Sequence, residues 1–371
     1  MRGILLGLAA LVAAAVFAGA ASADQTIYDR KIKLSVGGFL TGVGGSIDST
    51  GTGRQDGDRV GGSAEAHFKG TTTLDNGIEV GFTARWAALN DCALGGFSTP
   101  TSAMCAQNDA NRVYADFTTG LGKLQIGQPR GVSSQLMIRT PSALSSVSAV
   151  DASLDALALS NVNSVLDDRG RGAKVIYFTP RLFGVQAGFS YLWDRSRSGP
   201  LVTLVPDPLH PASNGRTAFA AAVNFERDIS DVVLRGALAY YTDNRVGGVG
   251  DPVGYNMGLQ VGFGGFTLGG NYTRGDNMDH RTTYVNQSET NIWSAGVTWG
   301  NGPWLLGLNY ADGQDRLAGV NGDFSSVVGG LSYELGSGIK FGFGYQHDDA
   351  SPAVGTDAKG DAVFMETGLK F

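Results

Sequence analysis

The stretch Ile78-Glu79-Val80-Gly81-Phe82-Thr83-Ala84-Arg85-Trp86-Ala87-Ala88 alternates without a break. Ile78, Val80, Phe82, Ala84, Trp86 and Ala88 fall on one face, and Glu79, Gly81, Thr83, Arg85 and Ala87 fall on the other. A period of two sends successive side chains to opposite faces of an extended chain, so this is a strand with one apolar and one polar or small face. Upstream, Ala64, Ala66 and Phe68 oppose Glu65, His67 and Lys69 in the same way, and Asp75-Asn76-Gly77 joins the two runs as a hairpin turn. Further along, Val185, Ala187, Phe189, Tyr191 and Trp193 alternate with Gln186, Gly188, Ser190 and Asp194. Tyr255, Met257, Leu259, Val261 and Phe263 alternate with Asn256, Gly258, Gln260 and Gly262. Helix signals are almost absent.

Alternation does not say which face points inward. In a soluble sandwich the apolar face is the core, whereas in a membrane barrel it faces lipid. The connections discriminate. Short turns at Thr119 to Gly122, Pro180 to Gly184, Gly264-Gly265, Gly300 to Gly302 and Leu335 to Gly338 alternate with longer polar loops around Cys92, Leu201, Val246, Met278, Val320 and Ser351. That asymmetry fits a transmembrane antiparallel β-barrel, and about 16 strands can be drawn between Ile32 and Phe371. The fold expectation is therefore all-β. One connection, from Pro129 to Gly170, lacks clean alternation. A loop of that length is usually functional. It is either a surface excursion or, given Leu144, Val147, Val150, Leu154, Leu157 and Leu159, a segment that packs inward against the wall.

Composition agrees. The chain has 371 residues, 56 of them Gly, with 42% hydrophobic and only 17% charged residues, and no Gly-X-Y period. Collagen and disorder are excluded. With 28 Lys+Arg against 34 Asp+Glu the net charge is −6, which gives no basic stripe for nucleic acid. Arg2, an apolar run from Ile4 to Phe17 and the small residues Ala21-Ser22-Ala23 read as a secretory signal peptide over residues 1–23. Residues 24–371 then form a single barrel domain, left with 27 bases and 34 acids, and no apolar run in them is long enough for a transmembrane helix. Cys92 and Cys105 share one polar segment of an exported chain and are expected to close as a disulfide.

Several motifs together resemble the general diffusion porins of Gram-negative outer membranes, and the alphaproteobacterial ones most. They are Phe68-Lys69-Gly70, Asn111-Arg112-Val113-Tyr114 followed by Gly122-Lys123-Leu124-Gln125-Ile126-Gly127-Gln128, Lys174-Val175-Ile176-Tyr177-Phe178-Thr179-Pro180 leading into Phe183-Gly184-Val185-Gln186-Ala187-Gly188-Phe189-Ser190-Tyr191, and the terminal Phe371. The resemblance spans the mature chain. It implies a homotrimer set among outer-membrane lipid and lipopolysaccharide, with a third loop (residues 129–171) that folds inward and sets acids against a basic wall. By type, the loop acids are Asp151, Asp155, Asp167 and Asp168; the wall candidates are His67, Lys69, Arg85 and Arg112. The sequence departs from the family where Glu65 occupies a frequently basic position and Phe178 a frequent wall arginine, and the loop lacks Pro-Glu-Phe-Gly-Gly. The constriction set is thus Glu65, His67, Lys69, Arg85, Arg112, Asp151, Asp155, Asp167 and Asp168.

The function implied is a water-filled channel for passive diffusion of small hydrophilic solutes and ions. Loss of two wall bases while the loop keeps its acids points to a weak cation preference. Alternatives are a porin specialised for one solute class and an exported soluble β-protein that binds carbohydrate. An enzyme is not expected: His67, His210, His280 and His347 are scattered, with no His-Glu-x-x-His and no Gly-x-Ser-x-Gly. No cofactor is expected either. The acids between Asp312 and Asp323 offer a loop that could take Ca²⁺, against the plainer reading of a solvated polar loop. His67, if it lines the pore, is a candidate for pH-modulated conductance or else a spacer.

Overall fold

The computed structural model describes residues 32–51, 56–93, 110–151, 164, 166, 172–192, 217–244, 251–277, 288–317, 319–352 and 357–371. The expected signal peptide and Cys105 lie outside them. Sixteen strands close into one antiparallel barrel: β1 (Lys33–Thr50), β2 (Gly57–Thr73), β3 (Glu79–Ala93), β4 (Ala110–Thr119), β5 (Gly122–Gly127), β6 (Lys174–Phe178), β7 (Val185–Leu192), β8 (Thr217–Ile229), β9 (Val232–Asn244), β10 (Val253–Phe263), β11 (Phe266–Asp276), β12 (Ser288–Asn301), β13 (Trp304–Leu317), β14 (Val320–Gly336), β15 (Ile339–Ser351) and β16 (Ala358–Lys370). Each strand pairs with its successor, and β16 closes on β1 over a register from Phe39 opposite Lys370 to Thr50 opposite Lys359. Closure leaves no open edge.

The apolar face points out. On β10, Met257 and Leu259 are 51% and 54% exposed while Asn256 is 3% exposed. Phe82 and Trp86 on β3, Leu306 and Leu308 on β13, and Val363 and Met365 on β16 repeat this, with Thr83, Asn309 and Glu366 buried on the other face. An exterior band of large apolar residues around a polar interior is the arrangement lipid requires, and it overturns the soluble-protein alternative. Aromatic pairs such as Phe263 with Phe266 and Trp304 with Tyr333 sit at the turn end, where amphipathic rings suit a membrane–water interface.

The β2–β3 turn forms as read: Gly77 adopts φ 80°, its N–H donates to the Leu74 carbonyl, and the Asn76 side-chain oxygen accepts the Ile78 N–H. One connection differs from expectation. β13 runs to Leu317 and β14 begins at Val320 directly opposite it, so the stretch from Asp312 to Asp323 is mostly paired strand rather than a long acidic loop. The Asp312 carboxylate accepts from the Trp293 indole and the Tyr310 hydroxyl on the outer face. Among the described residues no group of three or more His, Cys, Asp or Glu could hold a metal ion.

The segment after β5 turns into the barrel. It opens with a short helix, α1 (Val132–Leu136), and then follows the inner wall as an irregular, bending chain. Two apolar clusters receive it. Val132, Leu136 and Leu166 pack with Ile176, Phe178, Leu192, Ala218, Ala220, Ala222, Ala239 and Tyr241. Leu144, Val147, Ala149 and Val150 pack with Val43, Ile47, Ile292, Ala311, Phe324, Val328, Ala350, Ala362 and Phe364. Inward folding is thus what the described part of this connection does; Leu154, Leu157 and Leu159 lie outside the described residues. Glycines on the wall make the room: a methyl at Gly258 would collide with the Ile138 carbonyl, and one at Gly296 would come within 2.7 Å of the Pro141 carbonyl oxygen.

Two substitutions test this packing. Leu144→Ala removes a side chain buried against the wall and should destabilise the docked segment by on the order of 2 kcal/mol. Gly258→Leu should lift the segment off the wall. Both should expose the peptide bond after Arg139 to trypsin in the folded barrel; continued resistance to cleavage would count against the docking.

Candidate functional site in the barrel lumen

Strand parity and register place the expected wall residues on the lumen face. Phe68, Phe82 and Trp86 face out, so Glu65, His67 and Lys69 on β2 and Arg85 on β3 face in. His67 stands opposite Arg85, and Arg85 opposite Arg112 on β4, which forms one basic row across three strands. Lys69 lies in the next inward row, opposite Thr83, which is opposite Tyr114. Like charges directly opposite each other cost folding stability. Glu65 adds an acid at the end of the row, its Oε2 3.4 Å from His67 Nε2, and the His67 ring meets Phe39 edge-on at 6.0 Å.

Beside this row lies a pair that the sequence reading missed. Lys123 Nζ is 2.8 Å from Asp116 Oδ1, and Gln125 Nε2 donates to the same oxygen at 2.8 Å. Gln135 of α1 in turn donates to Gln125 Oε1 at 2.9 Å. This chain ties the start of the inserted segment to β4 and β5. Parity could have found it, because Asp116 and Lys123 alternate with Phe117 and Leu124.

Beyond α1 the tethers step round the wall almost strand by strand. Asn224 (β8) donates to the Leu136 carbonyl, Asn271 (β11) to Ile138, and Gln260 (β10) to Arg139. Thr140 shares a hydrogen bond with Ser294 (β12), and the Ala143 carbonyl accepts from Ser332 (β14) and from Lys340 (β15). Glu366 (β16) accepts the Ser145 N–H at 2.5 Å and the Ser146 N–H at 3.0 Å, and Asn309 (β13) accepts the Ala149 N–H at 2.7 Å. Backbone groups that would otherwise stand unpaired in a non-strand segment are satisfied by the wall. Glu366 is buried at 4% exposure, and its role escaped the sequence reading because β16 carries Phe364 inward between outward Val363 and Met365, which blurs the alternation.

In a 16-strand barrel, β3 lies eight strands from β11. The basic row on β2 to β4 is therefore diametrically across the lumen from β10 to β12, where Ile138 to Pro141 are held. Of the expected loop acids, Asp151 is described: at φ 58°, its carboxylate accepts the Ser164 N–H and hydroxyl, both at 2.7 Å. The Ser164 carbonyl accepts from Asn256 and Thr273, so Asp151 helps fasten the returning chain to β10 and β11. Asp155, Asp167 and Asp168 lie outside the described residues. So does the expected disulfide, since only the backbone of Cys92 is described, opposite Gly62.

The glycines near the start of β1 are used within the barrel. A methyl at Gly37 would come 2.9 Å from the Phe371 carbonyl oxygen, and one at Gly38 would strike the Glu65 carbonyl. At Gly45 it would strike Val363 across the closing seam. Their smallness is what the close approach of β16 and β2 to β1 requires.

A family described as Gram-negative porin matches residues 8–353. No curated protein matches the chain in sequence. Among solved structures, the outer membrane channel DcaP of Acinetobacter baumannii is 12% identical with TM-score 0.64, over 92% of this chain and 98% of that one. An anion-selective porin from Comamonas acidovorans is 15% identical with TM-score 0.56, over 92% of this chain and all of that one. The trimer form of OmpT from Vibrio cholerae is 12% identical with TM-score 0.57, again over 92% of this chain and all of that one. At these identities the structures share the fold. With its closed lipid-facing barrel, polar lumen and inserted wall segment, this chain belongs to the Gram-negative porin family and is a multi-pass β-barrel channel of the outer membrane.

Proposed function

We propose that the protein is a passive diffusion channel for small hydrophilic solutes and ions, working as a homotrimer. The observation that carries this reading is the inserted segment, held along the wall at β8 and from β10 to β16, where it takes up part of the lumen. A fixed, hydrogen-bonded lining sets a size limit, while fixed charges on two sides bias which ions enter. The trimer form of the Vibrio cholerae relative supports the assembly.

For selectivity, a weak cation preference rests on the two wall positions that carry no base, Glu65 and Phe178, on the loop acids Asp151, Asp155, Asp167 and Asp168 and on the acidic net charge. A second reading, a weak anion preference, is favoured by the row His67–Arg85–Arg112 with Lys69 beside it. The Comamonas acidovorans relative, described as anion-selective, lends that reading fold-level support. Reversal potential across a salt gradient in planar bilayers decides between them by its sign. Under either reading, Arg85→Gln and Arg112→Gln should shift it toward cations, since a unit charge is worth roughly 1 kcal/mol at 4 Å in water and the permeability ratio follows it severalfold. Conductance with no dependence on these residues would remove the row from the constriction, and no conductance from folded protein would remove the channel reading.

Glu366→Gln tests the segment's anchorage. It keeps one acceptor oxygen and turns the other into an NH2 that faces an N–H donor, so one charge-assisted hydrogen bond becomes neutral and the other is lost, at a cost on the order of 2 kcal/mol. Single-channel records of the variant should show a larger or noisier open level; an unchanged level would mean that the segment's position does not set the gap.

A further inference from the structure

Below the inserted segment, on the turn side of the barrel, the inner wall holds a cavity of about 410 Å³ that plays no part in the constriction. The segment itself roofs it through Ser145, and the turn joining β12 to β13 (Gly302, Pro303) borders it. Its charged groups are Glu334 at the end of β14, Lys340 at the start of β15 and Lys370 at the end of β16, with Thr41 and Ser332 as neutral polar neighbours. Leu305 supplies apolar surface.

The charges differ in how they are committed. Lys340 donates to the Ala143 carbonyl at 2.9 Å and so belongs partly to the segment's anchorage. Among the described residues neither the Lys370 ammonium nor the Glu334 carboxylate makes a hydrogen bond or an ion pair. One wall cavity therefore presents a free cation, a free anion and hydrocarbon. A simple anion would meet Glu334 and a simple cation would meet two lysines, whereas a molecule with both charges satisfies all three groups.

We propose that this cavity binds a small zwitterion, an α-amino acid with an apolar side chain. The carboxylate is held by Lys370 with help from Lys340, the ammonium by Glu334, and the side chain rests on Leu305. The proposal rests on the channel reading in that solute reaches the cavity through the lumen, on the exit side of the narrowing.

The test is calorimetric titration of the full chain in detergent with L-leucine and with 4-methylpentanoate, which keeps the carboxylate and hydrocarbon but lacks the amine. Lys370→Gln and Glu334→Gln lie at exposed strand ends and leave the Lys340 contact to Ala143 intact. Saturable leucine binding is expected, weakened about tenfold in each variant as a charge-assisted hydrogen bond is lost. Binding of 4-methylpentanoate should be weaker than that of leucine, and Glu334→Gln should strengthen it by removing the carboxylate that repels it. Absence of saturable leucine binding, or a Glu334→Gln variant that binds leucine unchanged, would overturn the assignment. Conductance in KCl is recorded on the same preparation: leucine binding by a non-conducting protein would support the site while counting against the channel, and conduction without leucine binding would do the reverse.

Discussion

Backbone hydrogen bonding in a medium without water governs this protein. Each N–H and C=O left unpaired in hydrocarbon costs several kcal/mol, so a sheet that crosses the membrane must close on itself. The register of β16 on β1 meets that demand, since it turns fifteen pairings between consecutive strands into a continuous ring. Lipid-facing side chains and lumen-facing side chains follow from the same constraint, because a closed ladder leaves each residue only those two directions.

The ring creates a second problem that the inserted segment illustrates. A non-strand chain inside a barrel has its own peptide groups to satisfy, and here the wall supplies partners side chain by side chain: Asn224, Asn271, Gln260, Ser332, Lys340, Asn309 and Glu366 each take one or more backbone groups. Apolar contacts at Leu144 and Val147 on one side and Val132 and Leu136 on the other hold the two ends. Glycines such as Gly258 and Gly296 are part of the same device, since any side chain there would occupy the segment's path. The lumen is thus shaped by complementarity between one connection and half of the wall, while the opposite wall keeps its basic row.

Much of the barrel was legible before any coordinates. Strand parity around Phe68, Phe82 and Trp86 placed Glu65, His67, Lys69 and Arg85 on the inner face, and the turn at Asp75-Asn76-Gly77 formed as read. The connection at Val320 was misjudged because polar residues from Asp312 to Asp323 looked like loop; in a strand that extends past the membrane, both faces can be polar. Glu366 and Phe364 were hidden for a related reason: an apolar residue that faces the lumen to meet Leu144 breaks the alternation from which facing is inferred.

The sequence by itself determined the period of two, the alternation of short and long connections and hence the barrel, because those depend only on neighbours along the chain and on the demands of lipid. Tertiary structure alone decided that Arg85 stands between His67 and Arg112, that the Ala143 carbonyl meets Lys340, and that Glu366 receives Ser145 and Ser146. These contacts join residues up to 221 positions apart. Register and the path of the inserted segment bring them together, and both are set by packing across the barrel rather than by any local preference of the chain.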